Sequence, residues 1–76
     1  MSKIISYVLL TTKMGKEHEI AEQTKKIKGV IETLIVYGQF DLVVRVETSN
    51  LPELDYVVTQ IRKMDGVEQT ITLISA

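Results

Sequence analysis

Residues 36–48 read VYGQFDLVVRVET, and this stretch decides how the rest of the chain is interpreted. Gly38 and Gln39 are residues typical of a turn, and the β-branched run after them is typical of a strand. The run before the turn is also rich in β-branched residues, so the stretch predicts an antiparallel hairpin. Asp41 stands at the start of the second strand, where an apolar residue would pack better.

Outside the hairpin, hydrophobic periodicity predicts two helices and two further strands. From residue 17 the apolar side chains fall on one helical stripe, and Gly29 is expected to stop that helix. After Pro52 they recur at i, i+3, i+4, i+7 and i+10, which is the clearest amphipathic pattern in the chain. The predicted elements are strands at 4–11, 30–37, 40–48 and 67–74 and helices at 17–28 and 52–64.

A short pattern repeats at an offset of 37 residues. GVIETLI from Gly29 and GVEQTIT from Gly66 share Gly, Val and Thr at the same internal positions. The repeat and the βαββαβ order of elements indicate two interleaved βαβ units. We therefore predict an α+β, ferredoxin-like fold, with a four-stranded antiparallel sheet and two helices on one face. At 76 residues, the chain has room for one domain, 1–76.

The composition excludes several classes of protein. Hydrophobic residues make up 45% and charged residues 25%, and the net charge is −1, which is typical of a soluble globular domain and not of a nucleic-acid clamp. There is no cysteine, so disulfides and thiolate metal sites are excluded. The N-terminal apolar run of about seven residues is too short for a signal peptide or a membrane span, so we expect a cytoplasmic protein.

The sheet face that the helices leave uncovered is also apolar. In the first strand both alternating sets contain apolar or aromatic side chains, which are Ile5, Tyr7 and Leu9 in one set and Ile4, Val8 and Leu10 in the other. An exposed face of this kind would form a patch of about several hundred Å², which is more than soluble monomers usually tolerate. We predict that a second copy packs against it, sheet to sheet. Residues expected to be covered by the helices or by the partner include Ile5, Tyr7, Leu42 and Val44.

Two segments resemble the effector-binding (RAM) domain of the Lrp/AsnC, or feast/famine, transcription regulators. The first is the turn YGQFDL at 37–42, and the second is the ending KMDGVEQTIT at 63–72. The helix sequence LDYVVTQIRKMDGV and the closing TITLI agree with the same family. The resemblance covers almost the whole chain.

The resemblance implies a small-molecule sensor, most often of amino acids, that dimerises through its sheets. Dimers of the family commonly assemble into octameric rings with effector sites between dimers. The chain begins at the first strand of the effector domain, without room for a helix-turn-helix domain. We therefore expect a stand-alone RAM protein that assembles with a full-length regulator, contacts neither nucleic acid nor membrane directly and uses no cofactor.

Asp41 has two interpretations. From the residues alone, a turn residue that accepts hydrogen bonds from nearby backbone N–H groups is favoured. The resemblance favours binding, because a carboxylate beside the N–H groups of a glycine turn can receive both ends of an amino acid. Two threonines on the last strand share a face with each other, although β-propensity explains them equally well. The predicted ligand-binding residues are Tyr37, Gly38, Gln39, Asp41, Thr70 and Thr72.

Two other functions remain open at this point. Small dimeric ferredoxin-like barrels include enzymes, but the sequence shows no nucleophile–base or acid–base pair, so we predict a non-enzymatic protein. His18 has no second histidine with which to hold a metal ion. The other alternative is a pure assembly module that binds no ligand.

Overall fold

The computed structural model describes residues 3–76 and shows the βαββαβ order of elements. The four strands form one sheet in the order β2-β3-β1-β4, and every pair of neighbours is antiparallel. This arrangement confirms the predicted ferredoxin-like fold. The elements are β1 (Ile4–Thr12), α1 (Glu17–Thr24), β2 (Val30–Ile35), β3 (Leu42–Thr48), α2 (Leu51–Arg62) and β4 (Val67–Ile74).

The hairpin between β2 and β3 has a longer loop than predicted. The first strand ends at Ile35 and the second begins at Leu42, so residues 36–41 lie outside the regular ladder. The pairing between the two strands also shifts between Val30 and Glu32. Asp41 is therefore the last residue of the loop, whereas the prediction placed it within the strand 40–48.

Helix α1 ends at Thr24, four residues before the predicted end. The Thr24 hydroxyl donates to the Ala21 carbonyl at 2.8 Å and lies 2.9 Å from the Thr33 hydroxyl on β2. The Lys25 N–H still donates to the Ala21 carbonyl, four residues back, at 3.3 Å, but the N–H groups of Lys26 and Ile27 donate to carbonyls three residues back at 3.2 and 3.1 Å. These shorter i→i−3 bonds tighten the chain and end the α-helix before Gly29.

Helix α2 begins at Leu51, one residue before the predicted start, and ends at Arg62, two residues before the predicted end. The Asn50 side chain accepts a hydrogen bond from the Glu53 N–H at 2.9 Å, and the Glu53 carboxylate accepts one from the Ser49 N–H at 3.0 Å. Pro52 lies in the first turn, where its missing N–H leaves no helical hydrogen bond unmade. Within residues 3–76, neither helix is long and apolar enough to cross a membrane.

Gly29 and Gly66, the first residues of the repeated pattern, occupy equivalent places in the two halves. Each immediately precedes an edge strand, and their φ angles are +104° and +97°. At Gly66 a Cβ atom would lie 3.2 Å from Ile20 Cδ1, closer than ordinary van der Waals contact. The repeat therefore reflects the same backbone reversal before β2 and before β4.

The core lies between the sheet and the two helices. In β1 and β3 every second side chain is buried on the helix-facing side, as period-2 alternation requires. Burying each large aliphatic side chain contributes about 1.5 to 3 kcal/mol. The buried apolar residues are Val8, Leu10, Ile20, Ala21, Leu42, Val44, Val46, Leu54, Val57 and Ile61.

The opposite side of the sheet, called here the outer face, carries a second apolar set. Tyr7 lies opposite Arg45 on β3 and opposite Leu73 on β4, and Tyr7 and Leu73 remain 36% and 52% exposed. Leu42 and Val44 are therefore covered by the helices, whereas Ile5 and Tyr7 are not. The apolar members of the outer face are Ile5, Tyr7, Leu9, Leu34, Val43, Ile71 and Leu73.

Candidate functional site

Asp41 joins the hairpin loop to the end of β1 through three hydrogen bonds. Its carboxylate Oδ2 accepts from the backbone N–H of Thr12 at 2.8 Å. Its own N–H donates to the Leu10 carbonyl at 2.8 Å, and its carbonyl accepts from the Val36 N–H at 2.9 Å. The loop is thus anchored to the sheet mainly through this one residue.

The carboxylate contact differs from the turn role considered for Asp41. The donor is not a neighbour in the turn but Thr12, 29 positions away in the sequence. Only Oδ2 takes part, and Oδ1 makes no hydrogen bond to another residue of the described range 3–76. Asp41 is half-buried. Oδ2 therefore holds the loop in place, whereas Oδ1 is available to a ligand. The binding role of Asp41 stays a prediction.

The tip of the hairpin loop is open to solvent. Tyr37, Gly38 and Gln39 are all exposed, and the Tyr37 side chain is fully so. A Cβ atom built at Gly38 would meet nothing within 4 Å. Another molecule can therefore approach the loop backbone closely. Within the described residues 3–76, Tyr37 neither packs on other side chains nor lines a pocket.

Thr70 and Thr72 lie on the helix-facing side of β4, opposite Leu10 and Val8 of β1. Both are half-buried. Because β1 runs between β3 and β4, two strand spacings of about 4.8 Å separate the Asp41 and Thr70 backbones. Five of the six predicted residues therefore lie toward one end of the sheet, whereas Thr72 lies opposite Val8, at the middle of β1. Within residues 3–76 the six do not enclose one pocket.

The pairing of β1 with β4 is irregular at this same end. Thr11 lies opposite Gln69 and Thr12 lies opposite Val67, so Glu68 is the extra residue of a bulge. The Thr12 N–H that Asp41 binds is thus next to this irregularity. The hairpin loop and the start of β4 are connected through the last two residues of β1.

A groove of about 480 Å³ lies beside the start of β4 and is called here the β4 groove. Arg62, the last residue of α2, contributes the only cationic side chain among its lining residues, and Glu68 contributes the only anionic one. Neither forms an ion pair with another residue of the described part of the chain. The lining residues are Arg62, Val67, Glu68, Gln69, Thr70 and Ile71.

The sequence analysis identified Thr70 but missed Arg62 and Glu68. A basic residue in the last turn of a helix is already explained by its interaction with the helix dipole, so Arg62 gave no separate signal. An acidic residue in a strand is equally unremarkable on a solvated edge. Only the packing of the end of α2 beside β4 brings the two charges to one groove.

A second groove, of about 400 Å³, lies toward the opposite end of the sheet. Its Glu47 lies 3.9 Å from the amine of Lys3, which also lines the groove, and 3.1 Å from the guanidinium of Arg45, which does not line it. Glu53, also on its wall, is occupied in capping α2. The lining residues are Lys3, Lys28, Gly29, Glu47, Thr48, Ser49, Glu53 and Tyr56.

Comparison with known proteins gives one family. The family model for the Lrp/AsnC ligand binding domain matches residues 6–76. The HTH-type transcriptional regulator FL11 of Pyrococcus furiosus is 32% identical over 71 residues, which are 93% of this chain and 47% of that regulator. The chain therefore spans about half the length of this relative.

The chain is also similar to a solved structure and, over a shorter stretch, to an enzyme. The crystal structure of FFRP-DM1 superposes with a TM-score of 0.90 at 39% identity, over 96% of this chain and 99% of that one. A shorter stretch of 46 residues is 37% identical to homocitrate synthase of Sulfolobus acidocaldarius, covering 60% of this chain but 10% of the enzyme. The similarity to the enzyme is thus confined to a small part of it.

Proposed function

The chain belongs to the Lrp/AsnC ligand-binding domain family, and from this premise we propose that residues 1–76 act as one domain that senses an amino acid and assembles into oligomers that modulate transcription. The proposal has two parts, effector binding and assembly. Each rests on a separate feature of the fold and is tested separately.

The proposal of effector binding rests on the hydrogen bonding of the Asp41 carboxylate, which lies at the base of an open loop. One carboxylate oxygen holds the loop in place and the other is available to an ammonium group. The exposed backbone of Gly38 and Gln39 offers N–H donors to a carboxylate. Tyr37 on the same loop, with Thr70 and Thr72 from β4, would complete a site whose two halves come from different copies, because β1 separates them in one chain.

Assembly is supported by the outer face. Seven apolar side chains of this face line the side of the sheet that no helix covers. We propose that a second copy packs on it to form a homodimer, and that dimers associate further into an octamer or another ring. A patch of this kind, rimmed by the Arg45–Glu47 ion pair, is typical of a protein–protein interface.

We propose that effector binding to this domain changes transcription indirectly, through another protein. FL11 is named as a transcriptional regulator, and its matched part is about half of it. We propose that this domain co-assembles with a full-length Lrp/AsnC regulator in the cytoplasm. Ligand binding to the domain would then affect the regulator, while the domain itself does not contact DNA. The net charge of −1 supports this part of the proposal, because binding to a phosphate backbone relies on clustered basic residues.

We do not propose catalysis. The enzyme that the chain resembles is matched over one tenth of its length, so its activity does not transfer to this chain. A pure assembly module remains the alternative, because the outer face supports assembly whether or not a ligand binds.

A thermal-shift screen of the twenty amino acids tests effector binding. A ligand at 100 times its Kd adds about 2.7 kcal/mol to stability, which for a domain of this size raises the melting temperature by on the order of 10 °C. We expect one amino acid, or a chemically related group, to give such a shift. If none of the twenty shifts the melting temperature at 10 mM, a concentration on the order of 100 times a Kd of 0.1 mM, the assembly module is the better description.

A further inference from the structure

We propose that Arg45 and Glu32 form reciprocal ion pairs between two copies of this chain when their outer faces meet, and that these pairs make the face select its own copy as a partner. The inference deepens the proposed function, because it rests on the homodimer proposed above and names the residues that recognise the partner. It does not depend on whether an effector binds.

Arg45 lies in the middle of the outer face. It is on β3, one of the two inner strands of the sheet, and its Cα partners are Tyr7 on β1 and Glu32 on β2. Val43, two residues before it on the same strand, is an apolar member of this face. A molecule that covers Tyr7 and Val43 therefore also covers Arg45. A charge removed from water in this way needs a partner that compensates it.

The Arg45 guanidinium is only partly satisfied within one chain. Its Nη2 donates to the Glu47 carboxylate at 3.1 Å, whereas its Nε is buried and has no acceptor among residues 3–76. Glu47 is also shared, since its other carboxylate oxygen lies 3.9 Å from the Lys3 amine. The Arg45 side chain is 37% exposed, so its guanidinium still has donors to offer to a second carboxylate.

Glu32 is a carboxylate without a partner on the same face. It is exposed, and it forms no ion pair and no side-chain hydrogen bond with the described part of the chain. Although Glu32 lies opposite Arg45, the guanidinium donates along β3 to Glu47 and not across to β2. One face therefore presents both an unused acceptor and unused donors.

The charges of the outer face are complementary to those of a second copy. A two-fold interface brings the same patch of both subunits together, so one donor and one acceptor in the patch give two equivalent pairs. This part of the face carries no net charge, since its two cations, Lys3 and Arg45, balance two carboxylates. A purely apolar sheet of another protein would instead bury Arg45 and Glu32 without partners, which disfavours that complex.

Two charge reversals test the pairing between copies. Arg45→Glu places a like charge against the Glu32 of the second copy, and Glu32→Arg does the same against its Arg45. Because like charges that meet across an interface cost several kcal/mol, each variant alone should raise the dissociation constant of the dimer by about a hundredfold or more. Analytical ultracentrifugation measures this at a concentration where the unsubstituted chain is a dimer.

An equimolar mixture of the two variants shows whether the pairs join different copies. In a dimer of one Arg45→Glu chain and one Glu32→Arg chain, both contacts again unite opposite charges. We therefore expect the mixture to recover the mass of a dimer, and native mass spectrometry to find one copy of each variant in it. If Arg45 pairs with Glu32 of its own chain, mixing restores neither pair and the mixture stays monomeric.

Salt and two further reversals separate local pairing from overall charge. At about 1 M salt the Debye length is about 3 Å, so attraction between whole molecules is screened, and the mixed dimer should persist. Lys26→Glu and Asp55→Arg make the same charge changes at exposed positions outside the sheet. Each of these controls should remain a homodimer by itself.

The outcomes separate this inference from the proposed homodimer. If either reversal leaves the dimer intact, or if both variants fold and their mixture stays monomeric, the ion pairs are overturned while the homodimer stands. If the unsubstituted chain is itself a monomer, both are overturned. Should a reversal prevent folding, Arg45→Gln and Glu32→Gln replace the pair, and each should raise the dissociation constant by about tenfold. Their double variant should then raise it by less than the product of the two effects, and a full product would overturn the pairing.

Discussion

The Asp41 carboxylate accepts a hydrogen bond at 2.8 Å from the backbone N–H of Thr12, which is 29 positions earlier in the chain. The contact fastens the hairpin loop to the last residue of β1, beside the bulge in the pairing with β4. Loss of the acceptor would leave a half-buried N–H without a partner. Asp41 therefore has a structural role that is separate from any contact with a ligand.

The first prediction separates these two roles with a pair of substitutions. Asp41→Ala removes the acceptor and should lower the free energy of unfolding by about 1 to 3 kcal/mol. Asp41→Asn keeps an oxygen at the same place and should lower it by less, about 1 kcal/mol or under, while amino-acid binding weakens by about 1.5 to 3 kcal/mol through loss of the charge. Denaturant unfolding and calorimetric titration measure the two effects. A lower melting temperature with unchanged affinity in the Asn variant would contradict the binding role.

The second prediction concerns the outer face. Leu73, which is 52% exposed and lies opposite Tyr7, can carry a charge in an isolated chain without disturbing the core. Leu73→Glu should dissociate the proposed dimer, since an unpaired charge buried in an interface costs several kcal/mol, of the order of 3 to 5. Light scattering at micromolar concentration measures the mass. Leu51→Glu, at an equally exposed apolar position on the first turn of α2, is the control and should leave the mass unchanged.

The third prediction concerns the contact between α1 and β2. Thr24 is fully buried and its hydroxyl lies 2.9 Å from that of Thr33. Thr24→Val should lower the free energy of unfolding by about 1 to 3 kcal/mol, because it leaves the Thr33 hydroxyl without its partner. In the double variant with Thr33→Val, both polar groups are absent, so the total loss should be smaller than the sum of the two single losses. Additive losses would show that the two hydroxyls do not interact.

The fourth prediction concerns the start of α2. Asn50→Ala removes the oxygen that accepts the Glu53 N–H and should lower the free energy of unfolding by about 0.5 to 2 kcal/mol. Ser49→Ala is the matched control, because Ser49 contributes its backbone N–H and not its hydroxyl to the cap. Chemical denaturation of both variants measures the difference. Equal destabilisation by the two substitutions would count against the cap.

Local chemistry explains which elements could be predicted from the sequence. The start of helix α2 was predicted to within one residue and its end to within two, because Pro52 and the apolar stripe after it act within the helix itself. The end of α1 was wrong by four residues because Thr24 is held by Thr33, a residue of the next strand. The hairpin strands were predicted too long because β-propensity runs through Val36 and Tyr37, whereas pairing stops at Ile35.

The candidate site was less accessible to sequence reasoning. Asp41 stood out because a carboxylate before an apolar strand is unusual, but its partner Thr12 has no pattern that links the two. Arg62 and Glu68 each have an ordinary explanation in their own element. Their relationship arises only when the end of α2 comes to lie beside the edge strand β4. Periodicity in one sequence predicts single helices and strands, but it does not predict contacts between elements that are distant in sequence.

The two edge strands have a consequence for handling this protein in solution. β2 and β4 each leave one row of backbone groups without a partner, and such rows can template the addition of strands from other molecules. Glu32 on one edge and Glu68 on the other place a negative charge on each row, and like charges oppose that addition. We therefore expect the two carboxylates to oppose aggregation. Replacing both by valine should produce fibrillar material at concentrations where the unsubstituted chain stays dissolved, which turbidity and thioflavin fluorescence would detect.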